Sequence, residues 1–184
     1  ICTPGTITWY SAVGFYFARR LHEELGVPIG LIESAWAGSG IEPFIAPEGY
    51  AGIPELAKAA THENASIRYN TRIHPLIPCA MRGVLWYQGE TNGSDQQYAL
   101  KQRALVEGWR QLWGREFPFY YVQISSWDVS EERPYTPVDG VAVVREQQLQ
   151  ALAIPNSGMA VTVDIGGDLH PANKEDVGLR LAQW

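Results

Sequence analysis

Near the end of the chain an imidazole, His170, follows two carboxylates in the segment Asp164-Ile165-Gly166-Gly167-Asp168-Leu169-His170-Pro171. An imidazole on a loop accepts a proton near neutral pH, and a neighbouring carboxylate orients it and stabilises it as it charges. That pairing describes a general base, and Asp168 and Asp164 are both close enough in sequence to serve it. The same residues also fit an exposed loop histidine ahead of a helix. A second cluster stands at Gln88-Gly89-Glu90-Thr91-Asn92. A backbone N–H freed by Gly89 and the side-chain amide of Asn92, aimed at one point, make an oxyanion hole. The competing reading is a glycine turn held by the asparagine side chain. Gly38, in Glu33-Ser34-Ala35-Trp36-Ala37-Gly38-Ser39-Gly40, offers a further donor, or merely lets Trp36 and Ile41 pack. Together these parts suggest acyl transfer through a serine. Ser11, Ser34, Ser39, Ser94 and Ser125 are present, yet none lies in a G-x-S-x-G elbow. His22, His62, His74 and His170 show no ligand spacing and no phosphate loop is present, so neither metal nor cofactor is expected.

The elements that must hold these groups can be read from periodicity. Val84-Leu85-Trp86-Tyr87 is a short apolar run of β-formers without helical spacing, as in a strand covered on both faces of a parallel sheet. Ligands sit outside the carboxyl ends of such strands, which is where Gln88 to Asn92 fall. Ahead of it, residues 8–25 place Val13, Phe17, Leu21 and Leu25 on one helical face, and Gly26 and Pro28 end the helix. Ile29 to Ile32 then reads as a short buried strand opening into the Gly38 loop. From Pro43 to Ala80 the pattern is proline-rich and irregular, with one helical piece near 55–60, which is typical of a functional loop or cap. A second helix is expected over 95–113, with Tyr98, Leu105, Trp109 and Leu112 on one side and Gly114 closing it. A strand follows over 118–124, then a polar loop over 125–140. A third helix spans 141–152 with Val144, Leu149 and Leu152 among Arg145, Glu146, Gln147 and Gln148, the fourth strand spans 159–163, and Asn173 caps a last helix with Val177 and Leu181 inward. Strands alternating with helices make a three-layer α/β/α sandwich on a parallel sheet. Four strands are legible, fewer than such sheets usually have, and the missing one is expected at the front.

Composition sets outer bounds. With 184 residues, 46% hydrophobic and 18% charged, the chain fits one globular domain with a sizeable core. Seven tryptophans and nine tyrosines suit a carbohydrate site, though such rings also fill cores. A net charge of −6 without a Lys/Arg cluster argues against nucleic acid or an anionic membrane as partner. Cys2 and Cys79 are too few for a disulfide framework, and their pairing is open. No apolar run approaches the ~20 residues of a membrane span, and no signal-peptide pattern is visible. The chain opens on Ile1 rather than Met and stops at Trp184 within a helical pattern, so a single domain, incomplete at its N-terminus and at its C-terminus, is expected.

The order of these motifs resembles the sialate O-acetylesterases and related carbohydrate acetylesterases of the SGNH hydrolase superfamily. Trp86-Tyr87-Gln88-Gly89-Glu90-Thr91-Asn92 is similar to the family's glycine-x-x-asparagine block, Asp168-Leu169-His170-Pro171 with Lys174 to its histidine block, and Gly30-Leu31-Ile32 to Ile41-Glu42 to its second strand and small-residue loop. Tyr69-Asn70 with Ile73-His74-Pro75-Leu76 is similar to its substrate loop, although Thr71-Arg72 stands where relatives have glycine and methionine. The resemblance implies an SGNH-like, flavodoxin-like fold lacking its first strand, and His170 as general base. It implies Gly89, Asn92 and Gly38 as oxyanion donors, and Gln88, Glu90 and Asn70 as pocket residues. The superfamily's acid stands three residues before the histidine, where this chain has Gly167; Asp168 is favoured and Asp164 stays open. The nucleophile block would lie upstream of Ile1. The implied activity is a serine esterase that removes O-acetyl groups from carbohydrates, either 9-O-acetyl esters of sialic acid or an acetylated polysaccharide such as xylan. The implied location is extracytoplasmic. A non-catalytic sugar-binding fragment of the same fold and a general short-chain esterase are the alternatives.

Overall fold

The computed structural model describes residues 2–3, 5–125, 140–168 and 170–184. Three strands form a parallel sheet, β1 (Val84–Trp86), β2 (Phe119–Val122) and β3 (Ser157–Ala160), arranged in that order. Six helices accompany them among the described residues: α1 (Ala12–Leu25), α2 (Pro47–Ala51), α3 (Ala57–Ala60), α4 (Tyr98–Trp113), α5 (Gly140–Gln150) and α6 (Lys174–Ala182).

Trp86, Tyr121 and Met159 lie in register across the sheet, as do Leu85, Tyr120 and Gly158 one step earlier. Because successive side chains point to opposite faces, each row commits to one layer. The first row packs with Phe119 against Tyr98, Leu105 and Trp109 of α4 and Val144 of α5. On the other face, Val122 and Ala160 meet Val13 of α1 and Val177 and Leu181 of α6. The sheet is thus enclosed by two helical layers, the α/β/α arrangement expected. Val177 and Leu181 are 0% and 1% exposed, and burying side chains of this size contributes roughly 1.5–3 kcal/mol each.

Helix ends follow the residues that mark them. Ser11 Oγ accepts from the Gly14 N–H at 3.1 Å, and Asn173 Oδ1 from the Asp176 N–H at 3.1 Å, so each satisfies a first-turn donor of α1 or α6. Gly26 (φ 65°) and Gly114 (φ 64°) take the left-handed conformation that terminates α1 and α4. The proline-rich stretch is a string of short helical turns rather than open loop: beside α2 and α3 it includes 42–44, 54–56, 69–73 and 74–76. Its α2 lies directly on α4 at Gly49 and Gly108, where a Cβ on Gly108 would stand 2.8 Å from the Gly49 Cα. That close approach brings Glu42 and its neighbours over α4.

Several expectations need correction. Ile29 to Ile32 is extended but pairs with no strand among the described residues, and Ile32 is 63% exposed. An apolar run becomes a strand only where a neighbour takes its N–H and C=O groups, and β1 pairs with β2 alone. In α5 Val144 is buried together with Gln147 and Gln148, while Leu149, and Leu152 in the turn that follows, are exposed. Leu25, placed on the inner face of α1, is also exposed. The polar loop expected over 125–140 lies, apart from its ends, outside the described residues. Cys2 and Cys79 are both free and exposed.

Candidate active site

At the carboxyl end of the sheet one buried glutamine fixes two strand exits. Gln148 Nε2 donates to the carbonyls of Gln88 (3.0 Å) and Val122 (3.2 Å), and its Oε1 accepts from the Ile124 N–H at 3.0 Å. α5 thereby holds the ends of β1 and β2 at a fixed separation. Beyond Trp86 the chain passes Gln88, whose Oε1 accepts from the Tyr98 hydroxyl (2.9 Å) and whose Nε2 reaches Asn92 Oδ1 (2.8 Å) and the Ser39 carbonyl (3.3 Å). Burial raises the Tyr98 hydroxyl far above its ordinary range, so it serves as a neutral donor. Gln88 is therefore a brace between the β1 exit and the Gly38 loop.

Gly89 follows with φ 156°, and a Cβ there would stand 2.8 Å from Ile124 Cγ2 and 3.0 Å from Gln148 Nε2. Only glycine fits both the backbone and the space. Gly89→Ala is expected to cost about 2–3 kcal/mol through strain and overpacking, read as a lower denaturant midpoint. Gly38 (φ 67°) is also left-handed, but open space lies where its Cβ would be.

Asn92 ties three segments together. Its Oδ1 accepts from the Ile41 N–H at 2.9 Å and from Gln88, and its Nδ2 donates to both Glu42 oxygens at 3.1 Å and to Asp95 Oδ2 at 3.3 Å. Both carboxylates are in turn bridged by Lys101 Nζ, 2.6 Å from each. Every polar atom of the Asn92 side chain is thus engaged, so donation to an oxyanion requires release of one carboxylate. Glu42, Asp95, Lys101 and Gln148 were absent from the residues picked from sequence. A signal for Lys101 existed: it stands three residues after Tyr98 on the apolar stripe of α4, where a cation implies a buried partner.

The β3 exit carries the other half. Asp164 is held by Arg180 through two contacts of 2.6 Å, and the Arg180 hydrogen bond keeps its carboxyl below the ordinary range. It is committed to α6 rather than to His170. Asp168 lies nearer: its Oδ1 accepts the His170 backbone N–H at 3.2 Å, and its carbonyl accepts from the buried Ser125 hydroxyl at 3.0 Å. The carboxylate therefore sits on the His170 backbone, with the imidazole exposed beside it. The two exits meet through Lys174, whose Nζ stands 5.4 Å from the Tyr87 ring centroid. Burial lowers the Lys174 pKa, and the opposing charges of Glu90 and Asp168 offset part of that. Burial, then Glu90, pushes the Tyr87 hydroxyl up to about 12. Gln88, Gly89, Asn92 and the Gly38 loop are thus one connected unit, with Glu90 and Asp168 sharing a cation across from each other. Asn70 is exposed on the turn at Tyr69–Ile73, its N–H spent on the Ser66 carbonyl at 2.8 Å.

A family model described as a carbohydrate esterase, sialic acid-specific acetylesterase, matches residues 10–183. Sialate O-acetylesterases of Homo sapiens and Rattus norvegicus are 32% and 30% identical to the chain, each aligned over 96% of it and over 39% and 42% of their own length. A solved structure of a carbohydrate acetylesterase from Xanthomonas citri superposes with a TM-score of 0.84 at 37% identity, over 98% of this chain and 41% of its own. The chain spans about two fifths of the length of these relatives. With nearly all of its residues matched and the parallel sheet, the glycine-bearing β1 exit and the histidine-bearing β3 exit in place, the chain belongs to the sialic acid-specific acetylesterase family of carbohydrate esterases.

Proposed function

We propose that the protein containing this chain is a serine esterase that removes O-acetyl groups from carbohydrates, with these residues supplying its base and oxyanion donors. Family membership carries the reading, supported by Lys174, which stands 5.4 Å from the Tyr87 ring at the β1 exit and feels the charges of both Glu90 and Asp168. A serine hydroxyl attacks the acetyl carbonyl while His170 takes its proton. The oxyanion is received by the Gly89 N–H with Gly38 as a further donor, and by Asn92 on release of its longest contact, that to Asp95. Collapse expels the sugar alkoxide, which takes the proton from His170. Water, deprotonated by the same imidazole, then frees acetate from the acyl-serine. Asp168 orients His170, and Gln88, Glu90 and Asn70 shape the pocket.

The nucleophile comes from outside residues 1–184, in a segment that completes the domain. Ser11 caps α1, the Ser39 hydroxyl is bound to the Gly40 carbonyl, Ser125 is 2% exposed and donates to Asp168, the Ser34 hydroxyl is buried without a hydrogen-bond partner among the described residues, and Ser94 lies in no G-x-S-x-G elbow. The substrate is an acetylated sialic acid or an acetylated polysaccharide such as xylan, and the site of action is extracytoplasmic. No helix among the described residues is long and apolar enough to cross a membrane. The test is acetate release from an aryl acetate and from acetylated sugars by the full-length protein and by residues 1–184 alone. Turnover by the full-length protein only is expected. Turnover by the short chain would place the serine within it, and sugar binding without turnover by either would make the protein a binder.

A further inference from the structure

The loop that carries Gly38 also carries Trp36, an indole left 46% exposed. Two guanidinium groups lie over this one ring: the central carbon of Arg68 is 3.6 Å from its centroid and that of Arg72 is 4.6 Å away. Both arginines rise from a single turn, the π-helical segment Tyr69–Ile73 and the residue before it, whose Tyr69 and Ile73 are buried anchors. Single π turns of this kind recur at functional sites. The turn is also fixed to the core, since the Ser66 hydroxyl donates to the Ile45 carbonyl at 2.7 Å. The backbone that carries both arginines is therefore anchored to the core.

Their charge is not compensated from within the protein. Arg19, Arg20, Arg103, Arg110 and Arg180 each have a carboxylate partner, while among the described residues Arg68 and Arg72, like Arg82, Arg115 and Arg145, have none within 4.0 Å; Arg68 and Arg72 differ in being gathered on one ring. This holds in a chain whose acids outnumber its bases 20 to 14. Like charges four residues apart on a helical turn repel, and stacking both on one ring adds to that repulsion. Stacking covers the face of a guanidinium and leaves its N–H edge available, which is the geometry that grips a carboxylate with two parallel hydrogen bonds. Asn70, exposed between the two arginines, adds an amide to the same surface. Trp36 is two residues from Gly38, in the loop that Gln88 and Asn92 bind at Ser39 and Ile41, so this surface adjoins the candidate active site.

We propose that Arg68 and Arg72, stacked on Trp36, form a carboxylate-binding subsite that selects acetylated sugars bearing an acid group. The proposal rests on the esterase reading above for its link to catalysis, but binding of the acid does not require turnover. The carboxylate belongs to a nonulosonic acid such as sialic acid or to a uronic acid branch on a polysaccharide, and both present the same anion to the arginines.

The test uses the full-length protein and the double variant Arg68→Gln/Arg72→Gln. Substrates are 9-O-acetyl-N-acetylneuraminate and its carboxyl methyl ester, and acetylated xylo-oligosaccharides with and without a glucuronic acid branch. For the acidic member of at least one pair the double variant should raise KM by about 10- to 50-fold, as loss of a charge-assisted bidentate contact implies, with kcat within about twofold. KM for the neutral members should stay unchanged. Arg72→Lys keeps the charge without the fork and should restore part of the effect. An effect on the sialate pair alone assigns the anion to a nonulosonic acid, on the xylan pair alone to a uronic acid. Titration calorimetry with unacetylated N-acetylneuraminate and glucuronate reads the subsite independently. Binding that is lost in the double variant, in a protein without turnover, would sustain the subsite and remove the esterase reading. Equal KM for acid and methyl ester in both proteins, or calorimetric binding unaffected by the double substitution, would overturn the subsite.

Discussion

Lys101→Met is expected to lower folding stability by about 2–4 kcal/mol at neutral pH, most of it from stranding two carboxylates rather than from losing an attraction. The Lys101 side chain is 11% exposed and those of Glu42 and Asp95 are 24% and 15%. Removing one partner from a buried ionic group typically costs 3–5 kcal/mol, and residual solvent access here reduces that somewhat. Methionine retains the apolar stem, so packing against α4 is largely kept. The pH dependence separates the electrostatic account from a packing one. Burial pushes the Glu42 carboxyl up, but hydrogen bonds from Lys101, its own backbone and Asn92 outweigh it, and its pKa falls below 4.5. A depressed carboxyl contributes stability that is present above its unfolded value and lost as pH falls through the folded one. Burial also lowers the Lys101 pKa, but Asp95 and Glu42 more than reverse this and leave it above 10.5. A raised lysine contributes stability that is present below its unfolded value and lost as pH rises through the folded one. The wild-type contribution is therefore full between these limits. In Lys101→Met the Glu42 carboxylate keeps its hydrogen bonds from Asn92 and its own backbone but loses the lysine that offset burial and the neighbouring Asp95 charge, so protonating it relieves the variant. Urea midpoints should show a gap that narrows from about pH 7 to about pH 4; a gap of constant size would mean that the cluster matters through shape alone.

The same cluster marks where the sequence stopped being legible. Parallel α/β architecture was readable because β1 and β2 are short runs of β-formers, and because Gly26, Gly114 and Asn173 end or begin helices by local geometry; β3, Ser-Gly-Met-Ala, lacks that character and starts two residues ahead of the 159–163 run. Ile29 to Ile32 has the same local character as β1 and still forms no strand, since pairing depends on a neighbour that local composition does not encode. The inward face of α5 was not legible because Gln148 is buried to satisfy the backbone at the Gln88, Val122 and Ile124 strand exits, a demand set by residues far along the chain. Asn92 was correctly seen as a polar group in a strand-exit turn. Its partners Ile41 and Glu42 lie about fifty residues earlier in the chain, and Lys101 reaches it only through the shared carboxylates, so this engagement was invisible. The arginine pair shows the opposite case. Thr71-Arg72 was legible as a departure from the family, but its meaning needed the position of Trp36.

In the full-length protein, His170→Ala should reduce kcat for an acetylated substrate by about 10⁶-fold, the loss seen when a triad base is removed, leaving only the residual catalysis of the oxyanion hole and binding. KM should change little, because the exposed imidazole acts on the serine proton rather than on the sugar. The choice of acid follows from what each aspartate already holds. Asp164 is bound at both oxygens by Arg180, and drawing it toward His170 would strand that guanidinium beside the Val161 carbonyl it also caps. Asp168 is fixed next to the histidine by the 3.2 Å contact from the His170 N–H, and its side chain is held by no cation within 4.0 Å among the described residues. Asp168→Asn should therefore lower kcat by more than about tenfold while leaving KM near wild type, since an amide cannot stabilise the imidazolium that forms. Asp164→Asn should leave kcat within about twofold. It should instead loosen the attachment of the β3 exit to α6, with the loss of stability confined to pH above the lowered Asp164 pKa, where the carboxylate is ionised. Equal losses of kcat from the two aspartate variants would show that the loop rearranges to bring Asp164 to the imidazole. A full loss from Asp164→Asn alone would reverse the assignment.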